Sequence, residues 1–248
     1  MAVLLQKLEL DIMQANELEE AIDLIVKHRI PTAIVHPGLV LDAMIRRSRY
    51  KGDFKIITPV DWPKGDIYGL PKFMGLDVDA LNSDGFELMI TPSRPESDIK
   101  NEMDMLTRFI REHVSAVPEI RFVFNALTNE NKDNIKSMAK AVRGVKTPIL
   151  IRTDHKLKLQ VSRANPEIQN DIISMIKKIV DVPLKISGNM NSIKTIMQCQ
   201  GASKFAVSLT QIRAIIKEIQ RQPEKLKEML SSDATEEATE EVTEEADV

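Results

Sequence analysis

Short apolar stretches alternate along the chain with longer segments whose apolar residues recur every three or four positions. The short stretches are rich in Val, Ile and Phe and bounded by Pro, Gly or Asn, which reads as strands. They are Leu8–Ile12, Thr32–His36, Phe54–Val60, Phe86–Thr91, Ile120–Asn125, Pro148–Arg152, Pro183–Ser187 and Lys204–Ser208. The longer segments read as helices with one buried face. Asn16 stands as a cap before Leu18, Ala21, Ile22, Ile25 and Val26. Ser97 precedes Met103, Leu106, Phe109 and Ile110, and Asn129 precedes Ile135, Met138, Ala139 and Val142. Asn165-Pro166 opens the run Ile168, Ile172, Ile173, Ile176 and Ile179 with a proline suited to a first turn. The weak unit is Asp66–Ser83, interrupted by Gly69, Pro71 and Gly75.

About eight β-then-α units in roughly 230 residues have the size and rhythm of a (β/α)₈ TIM barrel, an α/β fold. A doubly wound open sheet uses the same alternation. Neither a GxGxxG after the first strand nor a GxxxxGK[ST] occurs, so its two commonest nucleotide-binding versions lack support. The expectation is a single barrel domain over residues 1–230, followed by an acidic tail over 231–248.

Charge sharpens that division. The chain has 248 residues, 37 acidic and 34 basic, for a net charge of −3. From Ser231 onward it reads SSDATEEATEEVTEEADV, with eight carboxylates and no Lys or Arg, so the body is basic overall. The ATEE-ATEE-VTEE repeat has too little apolar surface to offset the entropy of ordering, and reads as a solvated, disordered tail. The alternative is an electrostatic lure for a basic partner, or a screen over the basic body. Such a body suits small anionic ligands better than DNA, and with 4% aromatics it offers no row of stacking platforms. No nucleic acid is expected as partner. No apolar run approaches the roughly 20 residues that span a bilayer, and the N-terminus is charged too soon for a secretory signal. A lone cysteine, Cys199, argues against disulfides and thiolate metal clusters. A cytoplasmic protein is expected, with no membrane association.

A barrel places its chemistry at the C-terminal ends of the strands, and alternation tells which side chains point inward. Glu87, Met89 and Thr91 share one face of the fourth strand, and Arg121, Val123 and Asn125 one face of the fifth. Arg152 ends the sixth; Lys185 and Ser187 share a face of the seventh. Charges inside a barrel need partners, because an isolated buried charge is too costly to keep. Glu87, Arg121, Arg152 and Lys185 are therefore either an interior ion-pair network that closes the barrel or a polar pocket for an anionic or carbonyl substrate. Converging from four strands, they favour the pocket. The ends of strands seven and eight are the usual phosphate station. There Ser187, Gly188 and Asn189, with Ser208 more weakly, could present backbone amides to an oxyanion; plain helix capping by Asn189 or Ser192 is the alternative. Lys156 and Lys158 could add charge.

The order of these segments resembles the deoxyribose-phosphate aldolase family of class I aldolases, over about Leu8 to Ile219. Thr32-Ala33-Ile34-Val35-His36-Pro37 resembles the family's second strand, ending in Val-Asn-Pro. Val60-Asp61-Trp62-Pro63-Lys64-Gly65 resembles its Gly-Phe-Pro-x-Gly turn, and Glu87-Leu88-Met89-Ile90 its Asp-Met-Val-Ile strand. Ile151-Arg152-Thr153 stands where the family has Val-Lys-Thr, and Leu184-Lys185-Ile186-Ser187-Gly188 where it has Val-Lys-Ala-Ser-Gly. Gln200-Gly201-Ala202-Ser203 resembles its Ala-Gly-Ala turn.

The resemblance implies a lysine that forms a Schiff base with a carbonyl, helped by neighbouring cations and a proton relay. That lysine falls on Arg152, whose guanidinium stays protonated and cannot form the imine. The strand-seven lysine is kept as Lys185, the relay aspartate becomes Glu87, and the second glycine of Ser-Gly-Gly becomes Asn189. The family's Gly-Thr-Ser reads Ala206-Val207-Ser208. Two readings stand. In one the chain is a pseudoenzyme that binds a phosphorylated ligand or a protein partner. In the other it is an active aldehyde-lyase on a small phosphorylated sugar or aldehyde, with Lys185 as nucleophile, Glu87 in the relay, and Arg152 and Arg121 in the site. Neither calls for a cofactor or metal, and a homo-oligomer stays open.

Other features read as structure. His28, His36, His113 and His155 show no i,i+4 pair. His36 and His155 could meet across the barrel mouth, although hydrogen-bonded loop histidines are the plainer reading. Cys199 falls in an apolar helix stripe and reads as core. Trp62 is either core or a lid over the pocket. Arg46-Arg47-Ser48-Arg49-Tyr50-Lys51 is the densest basic cluster and ends a predicted helix, where cations are favoured anyway.

Overall fold

A computed structural model describes residues 2–61, 67–73, 76, 78–90, 95–113, 119–124, 136, 140, 149–152, 166–179, 184–188, 190–199 and 201–221. Eight strands form within them: β1 (Leu8–Ile12), β2 (Thr32–Val35), β3 (Lys55–Val60), β4 (Gly85–Ile90), β5 (Glu119–Phe124), β6 (Ile149–Arg152), β7 (Leu184–Ser187) and β8 (Lys204–Ser208). Each pairs in parallel with the next, and β8 pairs with β1, so the sheet closes on itself with no free edge. The expected strands match these within a residue at each described end. His36 falls just outside β2, and Phe54 just before β3. Thr91, Asn125, Pro148 and Pro183 lie outside the described residues, as do Asn129, Ile135, Met138, Ala139 and Val142.

The helices are α1 (Ala2–Gln6), α2 (Leu18–His28), α3 (Val40–Tyr50), α4 (Val78–Leu81), α5 (Glu96–His113), α6 (Pro166–Lys177), α7 (Ile193–Gln198) and α8 (Leu209–Arg221). Their apolar stripes are what the three-to-four spacing dictates. Leu18, Ala21, Ile22 and Ile25 of α2 are buried, as are Ile212, Ile215, Ile216 and Ile219 of α8. These pack on the outward faces of the strands, where Leu8, Leu10 and Ile12 of β1 join Phe86 and Leu88 of β4 in one cluster. Full burial of such side chains contributes about 1.5–3 kcal/mol each.

Two caps differ from expectation. Asn16 does not cap α2: it sits inside a single 3-10 turn, Ala15–Glu17, that runs on into the helix through Glu17 in helical conformation. The residue with the extended backbone that a cap needs is Gln14, ahead of the turn, and it makes no side-chain cap hydrogen bond. Ser97 likewise lies within the first turn of α5; the Pro95 carbonyl accepts from Asp98 and Ile99, and the helix starts at Glu96, two residues before a Ser97 cap would start it. Pro166 does open α6.

Candidate functional site

On β1 the outward residues are Leu8, Leu10 and Ile12, so Glu9 and Asp11 belong to the other face. Glu9 lies inside the barrel, as its partners on β5 and β7 require. Its carboxylate is 1% exposed and bonds Arg121 Nη1 at 2.6 Å and the Lys185 ammonium. Lys185 Nζ also lies 2.6 Å from Glu87 Oε1, which is 3.4 Å from Arg121 Nη1. The result is a buried quartet of two cations and two carboxylates drawn from four strands. Arg121 Nε continues it to Glu119 Oε1 at 2.6 Å, and Glu119 reaches Lys55 at 2.7 Å.

The electrostatics follow from that pairing. Burial opposes ionisation of Glu9, but Lys185 and Arg121 outweigh it and bring the carboxyl down to about 2. For Arg121, burial is likewise outweighed, by Glu9, Glu87 and Glu119, and the guanidinium is held even more firmly protonated than usual. Glu119, partly buried, is lowered by Arg121 and Lys55 against its own desolvation. Two carboxylate oxygens, Glu9 Oε1 and Glu87 Oε2, have no hydrogen-bond partner among the described residues. Lys185 Nζ is thus engaged by two carboxylates at once, and an ammonium so paired carries no electron pair for a carbonyl.

Of the expected site residues, then, Glu87, Arg121 and Lys185 meet. The fourth member is Glu9, which the sequence reading did not single out; its alternation with Leu8 and Leu10 was the available signal. Arg152 ends β6 in register with Ser187, and its side chain is outside the described part. Asn189, Thr91, Asn125, Trp62, His155, Lys156 and Lys158 also lie outside the described residues.

At the ends of β7 and β8 the structure assigns different duties from those expected. Ser208 and Gln211 form a reciprocal cap on α8: Gln211 N donates to Ser208 Oγ at 3.3 Å, and Ser208 N donates to Gln211 Oε1 at 2.8 Å. Gln211 Nε2 reaches the Gly188 carbonyl at 2.6 Å, tying the two strand ends together. Ser208 is therefore a capping residue, and its amide is already committed. Ser192 caps α7 through Thr195 N, while Ile193 N donates to Glu218 Oε2 at 3.0 Å. A carboxylate of the chain itself thus occupies the start of α7. Ser187 is 7% exposed, and Gly188 takes φ 152, a conformation suited to glycine.

A second buried ion cluster sits where β3 and β4 end. Lys72 Nζ, whose side chain is fully buried, bonds the Met89 carbonyl and lies 3.3 Å from Glu102 Oε1 and 3.6 Å from Asp61 Oδ2. Glu102 also accepts from Gly69 N, and Asp61 from Ile67 N, each at 2.8 Å. Asp61 has a left-handed backbone, φ 60. These contacts hold down the segment that the glycines and proline made hardest to read.

The remaining candidates settle locally. His36 Nδ1 accepts from Gly38 N at 3.2 Å and caps a 3-10 turn. Cys199 closes α7, buried, its thiol pushed up to about 11 by desolvation. Among the described residues there is no cluster of three His, Cys, Asp or Glu able to hold a metal, and no helix long and apolar enough to cross a membrane.

No family model matches the chain, and no curated protein does. Solved structures do. An aldolase named QR15 superposes with a TM-score of 0.62 at 18% identity, over 90% of this chain and 98% of its own. A Coccidioides immitis protein assigned as a deoxyribose-phosphate aldolase gives 0.61 at 12%, over 88% and 86%. The likeness is one of fold. A Bartonella henselae triosephosphate isomerase also superposes, at 0.52 and 9% identity over 82% and 92%, so shared architecture does not choose the chemistry.

Proposed function

We propose that this chain is a complete (β/α)₈ barrel of the deoxyribose-phosphate aldolase type that has lost Schiff-base chemistry and binds a small phosphorylated sugar or aldehyde. The observation that carries this reading is Lys185 held between Glu9 and Glu87. The one lysine kept from the family pattern is part of the charge balance of the barrel interior, and the position of the imine-forming lysine is Arg152. Asn189 and Ala206-Val207 belong to the same change. They stand where the family pattern has a glycine and Gly-Thr, which puts side chains where backbone would approach a phosphate and leaves Ser187 and Gly188 as the ligand-facing pair. The acidic tail follows the barrel, and the protein works in the cytoplasm.

A second reading is favoured by one contact: Glu87 Oε1 stands 2.6 Å from Lys185 Nζ, within reach to take a proton from it. Lys185 would then be the nucleophile of an active aldehyde-lyase, with Arg121 and Arg152 as flanking cations.

Borohydride reduction in the presence of acetaldehyde or deoxyribose 5-phosphate, read by peptide mapping, separates the two. The binding reading expects no adduct on Lys185 and a saturable rise in Tm with deoxyribose 5-phosphate. An adduct on Lys185 that disappears in Lys185→Ala would overturn it in favour of the lyase. No adduct and no rise in Tm would leave a barrel that binds protein partners.

A further inference from the structure

The face from which the strands begin, opposite the usual barrel mouth, carries a cleft of about 980 Å³. It is lined by Arg29, Arg47, Lys51, Asp53, Phe54 and Asp84 among others. Both α2 and α3 end on it, and both end in a left-handed residue: Arg29 at φ 53 and Lys51 at φ 49. Glycine is the usual choice at such a cap. Here each is a cation, set on the rim by a cap whose amide is tied to the last helical carbonyls.

The charges of the cleft are unequally matched. Arg47 is engaged with Asp84, and its guanidinium also donates to the Phe54 carbonyl at 3.0 Å. Lys55 is engaged with Glu119 at 2.7 Å. That leaves Arg29 and Lys51 with no carboxylate partner among the described residues, against Asp53 alone.

The same face is where α8 delivers the chain. Helices that return from a parallel strand run back to the side where strands start, so Arg221 ends α8 there. Lys204, the first residue of β8, donates to the Gln6 carbonyl at 2.9 Å, and Gln6 Nε2 donates to the Arg29 carbonyl at 2.6 Å. The start of β8 is therefore one residue removed from the cleft wall. Residues 222–248 have a contour length of roughly 90 Å, and adjacent packed helices are about 8–10 Å apart. The tail can reach.

We propose that the acidic segment 231–248 docks across this cleft, its carboxylates pairing with Arg29 and Lys51. Tethering supplies the segment at a high effective concentration, so weak exposed pairs suffice. Salt weakens such pairs. This assignment concerns the face opposite the barrel mouth and stands whether or not the barrel has kept its chemistry.

The test uses the full-length protein. Cys199 is 3% exposed, so a nitroxide reagent on Ala246→Cys labels the tail selectively. Docking predicts paramagnetic broadening of the Arg29, Lys51, Gly52 and Asp53 amides at low salt, reversed by high salt. It also predicts loss of that broadening when Glu236, Glu237, Glu240, Glu241, Glu244 and Glu245 are changed to Gln, which leaves the barrel untouched. Broadening spread evenly, centred on another face, or unaffected by Glu→Gln overturns the proposal. So does broadening that appears only between labelled and unlabelled molecules, which would mean that a second copy occupies the cleft.

Discussion

Glu9→Gln is the sharpest probe of the interior network. Glutamine keeps the shape of the side chain and removes its charge, leaving Lys185 and Arg121 to share Glu87 and, at the edge, Glu119. Its effect can be approached in two ways. A carboxyl that titrates near 4.5 in the unfolded chain and at about 2 in the folded one contributes about 3 kcal/mol at neutral pH. Breaking a buried ion pair from one side costs about 3–5 kcal/mol. The two meet near 3 kcal/mol. Because the folded value is the lower one, the contribution is complete above about pH 5 and is lost as pH falls from there towards 2. In urea unfolding at pH 7 the variant should have a midpoint lower by about 1 M or more. From pH 6 to pH 3 it should lose less stability than the wild type, because the carboxyl responsible for that loss is gone. A midpoint shift below about 0.3 M, with wild-type and variant pH profiles running parallel, would refute the pairing argument.

Other outcomes follow from single contacts. Lys72→Met leaves Asp61 and Glu102 buried without their shared cation, and should cost about 3–5 kcal/mol in urea unfolding; a loss under about 1 kcal/mol would mean the cluster is not closed in solution. Gln211→Ala removes one half of the α8 cap and the bridge to Gly188, and should lower stability by about 1–2 kcal/mol; an unchanged Tm would count against the cap. In the native protein Cys199 should react with a thiol reagent at pH 8 at least about 100-fold more slowly than a free thiol, because burial keeps it protonated. Rapid labelling would show that α7 opens readily.

Much of the fold was legible because burial imposes its period on the sequence. β1 and β8 begin and end where alternation and bounding residues put them, and the stripe of α2 is the one its spacing predicts. Part of the site was legible too, since Glu87, Arg121 and Lys185 are charges on faces that a barrel turns inward. Caps were less so. Asn16 has the right chemistry, but a 3-10 turn had already satisfied the backbone. The Ser208–Gln211 pair carried a readable three-residue signature, hidden by reading Ser208 as a ligand group.

The alternation of elements, the parallel barrel it implies and the types of charge that had to be buried all follow from the order of residues along the chain. Which charges meet follows from the closed sheet. Glu9 and Arg121 are 112 positions apart and Glu87 and Lys185 98 apart, brought together only by closure of the sheet. Lys72 finds Met89, Glu102 and Asp61 only because the chain between β3 and β4 folds back over the strand ends. Local pattern reports what each residue needs from its surroundings. The partner that supplies it is set by contacts across the barrel, which no stretch of neighbouring residues encodes.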